Sequence, residues 1–355
     1  MTIAVLIVNW NSGNLLERCL ESLARQRRHP DHIFIVDNAS TDDSLTRAAA
    51  WLDPVGVVGD VHRVTLIRLS ENAGFARANN IAARAASGFD GLALLNPDAF
   101  ADAGWLEALV RAAEEEPSVG AFASQMRLDS APDFLDGAGD SYHPSGRAWR
   151  NGHGLAAAGW SVDRAEVFAP CAAAALYRRV AFEAAGGFDE RYFCYFEDVD
   201  LGFRLRLQGF RTLYVPDACV RHVSSALGGY RSDFAVYHGE RNMVWTFVKD
   251  MPGSLFWWYL PQHLLLNAAS LLFYPWRGQG LVALRAKLDA LLGLRGVLEE
   301  RRRVQRGRTA AASSIRQSFI RGLARPYLRL LTGSSRGGIR TRASKGASFR
   351  ADSTR

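Results

Sequence analysis

The first hundred residues alternate between short apolar runs and stretches of helical periodicity. Ile3 to Val8 is unbroken apolar sequence ending at Asn9, the pattern of a strand buried on both faces. Leu15 to Ala24 repeats its apolar positions at helical spacing. Ile33 to Val36 predicts a second strand that stops at Asp37-Asn38, and Ser40-Thr41-Asp42-Asp43 has the form of a capping box opening the next helix. Val64 to Leu69 predicts a third strand. Asn72 is placed to cap a helix over about 75–87, and Gly91 to Leu95 predicts a fourth strand ending at Asn96-Pro97-Asp98. Strand and helix alternating on short links predict an α/β fold with a doubly wound, mostly parallel sheet. Ligands of such sheets bind beyond the carboxyl ends of the strands. Asn9, Asp37 and Asp98 stand there, so the pattern locates a site before any chemistry is considered.

Residues 118–230 are less regular, with short strands near 119–123 and 172–177 and a helix over about 198–208. From 231 the pattern is helical to about 306, and after 332 the Gly/Ser/Arg-rich sequence reads as disordered. No internal repeat is visible.

Composition adds a division. Of 355 residues 48% are hydrophobic and 22% charged, which is globular. The net charge of +7 hides a body, 1–294, with 27 basic and 33 acidic residues, and a tail, 295–355, with 16 basic and 3 acidic ones. An anionic partner belongs at the tail. Cys19, Cys171, Cys194 and Cys219 lack CxxC spacing, which fits a reducing cytoplasm. The apolar run at the N-terminus is too short for the core of a signal peptide. Neither GxGxxG nor GxxxxGK[ST] occurs, against a dinucleotide dehydrogenase or a P-loop ATPase.

Five constellations could carry chemistry. Val8-Asn9-Trp10-Asn11, Asp37-Asn38 and Asn72-Ala73-Gly74-Phe75-Ala76 place carboxamides and a carboxylate at three strand ends, suited to a base and ribose. Each alone is also ordinary turn chemistry. Asn96-Pro97-Asp98 ends an apolar strand in a carboxylate, as a hard cation against a diphosphate requires. Phe196-Glu197-Asp198-Val199-Asp200 crowds three acids beside Tyr192, Phe193 and Tyr195, the composition of a sugar-contacting site, although acids also suit a helix start. His222 is a metal-ligand candidate if Asp98 holds a cation, and otherwise a structural histidine.

The fifth is the apolar stretch Leu255 to Trp276, long enough to cross a bilayer. Pro261, Gln262, His263 and Asn267 near its middle, and the basic tail that one crossing would export, favour an interfacial, re-entrant or buried helix. Ile315, Phe319, Leu323, Tyr327 and Leu331 then recur every four residues with Arg316, Arg321, Arg325 and Arg329 between them, a basic amphipathic pattern suited to an anionic membrane surface. No nucleic-acid module is present.

VLIVNWNS, CLESL, IFIVDNASTDDS, RLSENAGFARANN, LLNPDA, GGFDERYFCYFEDVDLGFRLRLQGF and VRH, in this order over about residues 1–245, resemble family-2 glycosyltransferases of the GT-A fold, in particular the rhamnosyltransferase-like group. The resemblance implies a nucleotide-diphosphate sugar donor, a divalent cation (Mg2+ or Mn2+) and inversion at the anomeric carbon. It implies that Asp37 contacts the base, that Val8, Asn9 and Asn72 line the donor pocket, and that Asn96-Pro97-Asp98 stands at the DxD position. Asn96 replaces the first acid there, which leaves Asp98 as the main metal carboxylate. Asp198 matches the catalytic base, His222 the histidine completing the metal site, and Tyr195, Phe196 and Glu197 lie where sugar or acceptor is met. The implied donor is dTDP-rhamnose, with galactofuranose, mannose or N-acetylglucosamine as alternatives. The implied acceptor is a polyprenyl-linked or envelope glycan at the inner face of a bacterial plasma membrane. A nucleotidyltransferase is disfavoured because Asn9-Trp10-Asn11-Ser12-Gly13 contains no basic residue. A non-catalytic binding protein is disfavoured by the intact acids. The expected division is a catalytic domain over 1–230 (donor half about 1–100, acceptor half about 101–230), a helical, membrane-associating region over 231–332 and a basic tail over 333–355.

Overall fold

The structure, a computed structural model, describes residues 1–52, 63–224, 232–322 and 324–332. Strands β1 (Ile3–Asn9), β2 (His32–Asp37), β3 (Arg63–Arg68) and β4 (Gly91–Leu95) lie parallel in the order β3-β2-β1-β4. They are linked through helices α1 (Leu15–Ala24), the short α2 (Ser44–Arg47) and α3 (Ala49–Leu52), and α4 (Gly74–Ala85). Next in the chain come β5 (Ala99–Ala101), α5 (Trp105–Glu115), β6 (Val119–Leu128), β7 (Ala131–Ala138), β8 (Asp140–Tyr142), β9 (Ala148–Arg150) and β10 (Ala165–Val167). They are followed by β11 (Ala174–Arg178), α6 (Arg179–Ala184), α7 (Glu197–Leu207) and β12 (Arg211–His222). Beyond β4 the sheet continues β11-β6-β12-β10, with β11 antiparallel to both neighbours and β6 parallel to β12. This is the α/β fold expected, parallel in its first half and mixed in its second.

Alternation of side chains along β1 explains why its run is apolar throughout. Ile3, Val5 and Ile7 pack with Leu16, Leu20, Trp105 and Leu109 from α1 and α5 on one face. Ala4 and Leu6 pack with Ala78 and Ala82 of α4 and Leu201 and Leu205 of α7 on the other. A strand covered by helices on both faces has no polar side to keep.

Two expectations are corrected. The helix after Ser40-Thr41-Asp42-Asp43 is a single turn: Asp43 makes no side-chain capping bond, and Asp42 instead accepts from Gly13 N at 2.7 Å and Ser44 Oγ at 2.6 Å. The acids tie two loops together rather than nucleate a helix. The pattern over 314–331 is not one amphipathic helix. It divides into two short helices, Ala312–Gln317 and Arg325–Thr332, and Ile315 and Phe319 are buried with Tyr142, Phe168 and Phe203. Those apolar positions face the protein, so they offer nothing to a membrane; Leu323 lies outside the described residues.

The C-terminal helices are α8 (Asp233–Asp250), α9 (Gly253–Phe273), α10 (Gly280–Leu292), α11 (Leu294–Arg306), α12 (Ala312–Gln317) and α13 (Arg325–Thr332). They are fused to the sheet body by a cluster in which Phe247, Met251 and Leu255 meet Val199, Phe203 and Leu207 of α7. Among the described residues no helix is long and apolar enough to cross a membrane. The sequence 333–355, expected to be a disordered basic tail, lies outside the described residues.

Candidate active site

The parallel register sets Asn9 beside Asp37 at the ends of β1 and β2. Asn9 is fully buried, and its amide is engaged internally: Nδ2 donates to Asp37 Oδ1 at 2.9 Å and to Ser44 Oγ at 3.0 Å, and Oδ1 accepts from Ser12 Oγ at 2.5 Å. Its geometry is that of a residue orienting Asp37. Val8 is half-buried beside Val36. Asn38 bridges to the next strand end, donating to Asn72 Oδ1 at 2.8 Å and accepting from Ala73 N at 2.8 Å. Asn72 Oδ1 also accepts from Gly74 N at 2.9 Å.

Gly74 joins this cleft to the acidic loop. Its φ is +82°, and a Cβ there would lie 2.6 Å from the Phe193 ring, so only glycine permits the approach. Asn80 completes the clamp, donating to Phe188 O at 2.8 Å and accepting from Phe188 N at 2.9 Å. The stretches NAGFARANN and GGFDERYF, about a hundred residues apart, therefore form one wall.

Asp98 and His222 meet because β5 and β12 pair antiparallel with Ala99 opposite His222. His222 Nε2 lies 3.3 Å from Asp98 Oδ1 without a well-formed hydrogen bond, and Nδ1 is held at 2.8 Å by Asp136 Oδ2. Burial works to lower the imidazole pKa, but Asp98 and Asp136 outweigh it and push it up to about 9. Burial likewise opposes ionisation of Asp98, and His222 overcomes it, holding the carboxyl below its ordinary value. Asp136 is wholly buried and also pairs with Arg150 and, at 3.4 Å, His153. This arrangement fits a cation. An oriented Nε2 faces a carboxylate, the second-sphere Asp136 fixes the ring as metal-binding histidines require, and the donors are few and hard. Among the described residues no group of three or more His, Cys, Asp or Glu side chains is placed to hold a metal ion by itself. Asn96 is half-buried at the same strand end.

Asp198 begins α7. Its Oδ2 accepts from Ala172 N at 3.2 Å and its Oδ1 from Val199 N at 2.8 Å. Burial nevertheless raises its pKa against those bonds. Glu197 is buried, with one carboxylate oxygen unpartnered, and burial and Asp198 together raise it well above its ordinary value. Asp140 on β8 is pushed up to about 8 by burial and by Asp198, with Arg150 opposing. Asp198, Asp140, Arg150, Asp136, His222 and Asp98 thus form one electrostatically connected group at the end of the sheet. Asp200, the third acid of the run, points elsewhere: it accepts from Arg204 at 2.6 Å and Tyr192 Oη at 3.0 Å and pairs with Lys249. Tyr195 is half-buried against Phe234, and Phe196 is half-buried against the cluster around Val199.

Asp136, Asp140, Arg150 and Asn242 were not singled out from sequence. For the first two the available signal was Asp136-Gly137-Ala138-Gly139-Asp140, acids spaced by small residues. Asn242 on α8 is wholly buried and donates to the carbonyls of Tyr192, Cys194 and Tyr195 at 3.0, 3.0 and 2.8 Å. In the loop it holds, Phe193, Tyr195 and Phe196 all have φ between +63° and +68°, a left-handed conformation costly for such side chains.

Known proteins resemble this chain in sequence and in fold. Residues 4–186 match the profile described as Glycosyl transferase family 2. The N-acetylglucosaminyl-diphospho-decaprenol L-rhamnosyltransferase of Mycobacterium tuberculosis is 30% identical over 333 residues, covering 86% of this chain and 98% of that protein. The O-antigen biosynthesis protein RfbC of Myxococcus xanthus is 28% identical, covering 63% of this chain and 17% of its own length. Among solved structures, GalNAc-T7 with UDP, GalNAc and Mn2+ superposes with a TM-score of 0.60 at 16% identity, covering 76% of this chain and 51% of the other. The mannosyltransferase PcManGT from Pyrobaculum calidifontis, in complex with GDP-Man and Mn2+, superposes with 0.51 at 18% identity, covering 94% and 88%. These two show a shared fold.

Proposed function

The chain belongs to glycosyl transferase family 2, and from that premise we propose that it transfers L-rhamnose from dTDP-rhamnose to a polyprenyl-diphosphate-linked sugar, with inversion. The observation that carries the choice of substrates is the match to the mycobacterial rhamnosyltransferase along 86% of the chain. Galactofuranose, mannose or N-acetylglucosamine would use the same machinery.

Asp37, oriented by Asn9, takes the base and ribose at the ends of β1 and β2, and the Asn38–Asn72 bridge shapes the neighbouring wall. Asp98 and His222 would hold a divalent cation, Mg2+ or Mn2+, whose chemistry when bound is to neutralise charge on the diphosphate. Asp198 stands on the acceptor side. The acceptor hydroxyl oxygen bonds to the anomeric carbon as the bond from that carbon to the diphosphate oxygen breaks, and the nucleotide diphosphate leaves with the electron pair. Asp198 receives the hydroxyl proton, a role that requires it ionised and within hydrogen-bond reach. Its raised pKa makes it a stronger base than a solvated aspartate. Tyr195, Phe196 and Glu197 adjoin it and contact the sugars. The lipid-linked acceptor places the reaction at the inner face of the plasma membrane.

The test is Asp198→Asn. Donor affinity, measured by calorimetry, is expected to stay within about twofold while transfer falls by roughly 10²–10⁴, the usual contribution of a general base. Transfer at the wild-type rate would remove Asp198 from this role.

A further inference from the structure

Helices α9 and α10 bury polar groups among small or apolar ones and expose other large apolar side chains. Toward the body α9 presents His263, which meets Ser145 O at 2.7 Å, and Ser270, beside Leu255 and Leu266. Toward the body α10 presents Lys287, whose ammonium lies 2.6 Å from the buried carboxylate of Glu240. Tyr274, just after α9, donates to the same Glu240 at 3.1 Å. The outward faces are apolar. On α9, Trp257 and Trp258, then Leu264 and Leu265, then Leu272 fall two helical turns apart, all exposed. On α10, Leu281, Leu284, Leu288 and Leu292 repeat at three- and four-residue spacing, with Leu281 84% and Leu292 81% exposed. The two helices pack together, so the stripes form one surface, with Trp276, 90% exposed, at the turn between them. A water-facing helix pair has the opposite polarity, and apolar patches of this extent mark interaction sites.

We infer that this α9–α10 face is a membrane-docking plate that lies flat in the headgroup region of a leaflet containing anionic lipid. Charge argues for that occupant. Over 253–292 the charged residues are Arg277, Arg285, Lys287 and Asp289. Lys287 is taken up by the buried Glu240, and Asp289 accepts from Tyr237 Oη and lies 3.7 Å from Arg285, whose side chain is 78% exposed beside the leucine stripe. Indole rings at both ends of the α9 surface are the side chains that settle at the boundary of hydrocarbon and water. Apolarity argues too, since α9 has 21 residues but no described helix is both long and apolar enough to cross, and an immersed helix that does not cross lies in the plane. The chain's own C-terminal segment does not fit: after Thr332 its only large apolar side chains are Ile339 and Phe349. Ile315 and Phe319, the other apolar candidates, are already buried.

The inference deepens the placement of the reaction at a membrane, and the experiment separates the two. Full-length protein is sedimented with vesicles of phosphatidylcholine, with and without phosphatidylglycerol, beside Leu281→Gln/Leu284→Gln/Leu288→Gln/Leu292→Gln and Arg277→Gln/Arg285→Gln variants. All the leucines changed are exposed, so folding is undisturbed, and donor binding by calorimetry serves as the control. The expected result is binding that requires the anionic lipid, weakens by more than about tenfold in the leucine variant, and weakens by a smaller factor in the arginine variant. Transfer to a short-chain, water-soluble acceptor is expected unchanged in both. Undiminished vesicle binding by the leucine variant would assign binding to the basic tail and overturn the plate. So would a wild-type dimer that the leucine changes dissolve, with no vesicle binding, because the face would then cover a second copy. Loss of vesicle binding with retained short-chain transfer leaves the enzymatic reading intact, whereas vesicle binding without transfer of any sugar fails that reading and leaves the plate.

Discussion

Asp198 shows how much a single residue's surroundings decide. Its sequence context supplies three acids in four positions, and the structure gives them separate roles. Asp198 faces Asp140 and Ala172 N, Glu197 is buried, and Asp200 is neutralised by Arg204 and Lys249. Asp37 and Asp98 were legible as candidates because apolar runs stop at them, and His222 as a metal ligand chiefly through the resemblance to the family. Asp136 was not, since its contact with His222 spans 86 residues and depends on β7 pairing with β6. A pH prediction follows at this scale. The ionised carboxylate is the active form of Asp198, and burial raises its pKa. Activity is therefore lost as pH falls through a value above the ordinary carboxylate range. Burial and Asp198 push Asp140 up to about 8, so Asp140 is already protonated where Asp198 titrates. Asp140→Asn is therefore expected to leave the acid limb of kcat/KM in place. A limb that moves to lower pH would show Asp140 ionised beside the base.

At the scale of elements, the entry to α7 depends on α8. Three left-handed aromatic residues precede Asp198, and Asn242 gathers the carbonyls of Tyr192, Cys194 and Tyr195 in the same loop. Below them Lys249 pairs with Asp189 at 2.6 Å and with Asp200, and is itself almost wholly buried. The sequence shows α8 as a helix but not what it supports, because helical periodicity reports which face is apolar and the face that matters here is polar. Lys249→Met fits the volume but leaves the largely buried Asp189 and Asp200 with one cation each, Arg191 and Arg204. Breaking a buried pair in this way costs about 3–5 kcal/mol. Denaturant unfolding is expected to show a loss of that order, and transfer is expected to fall because the α7 entry loosens. A stability change below about 1 kcal/mol would mean that Arg204 and Arg191 neutralise the site alone.

Over the whole molecule, the parallel β3-β2-β1-β4 half follows from local periodicity, so it could be read from sequence nearly strand by strand. In the second half β6, β11 and α7 were read close to their places, but the pairing of its strands was not. The antiparallel β11, the long β6–β12 pairing and the β5–β12 contact that makes the Asp98–His222 site are all set by distant partners. The helical region was legible in extent but not in polarity. Its apolar residues divide between Ile315 and Phe319, which weld it to the body, and the α9–α10 leucines and tryptophans, which face outward. The central claim is sugar transfer from a nucleotide diphosphate to a lipid-linked acceptor. The most direct measurement incubates full-length protein and a divalent cation with a polyprenyl-diphosphate-linked N-acetylglucosamine and a panel of nucleotide sugars, and identifies the product by mass and anomeric configuration. One added deoxyhexose from dTDP-rhamnose, with the anomeric centre inverted, is the result predicted; no glycosylated lipid from any donor, in a preparation that still binds nucleotide, would contradict the account.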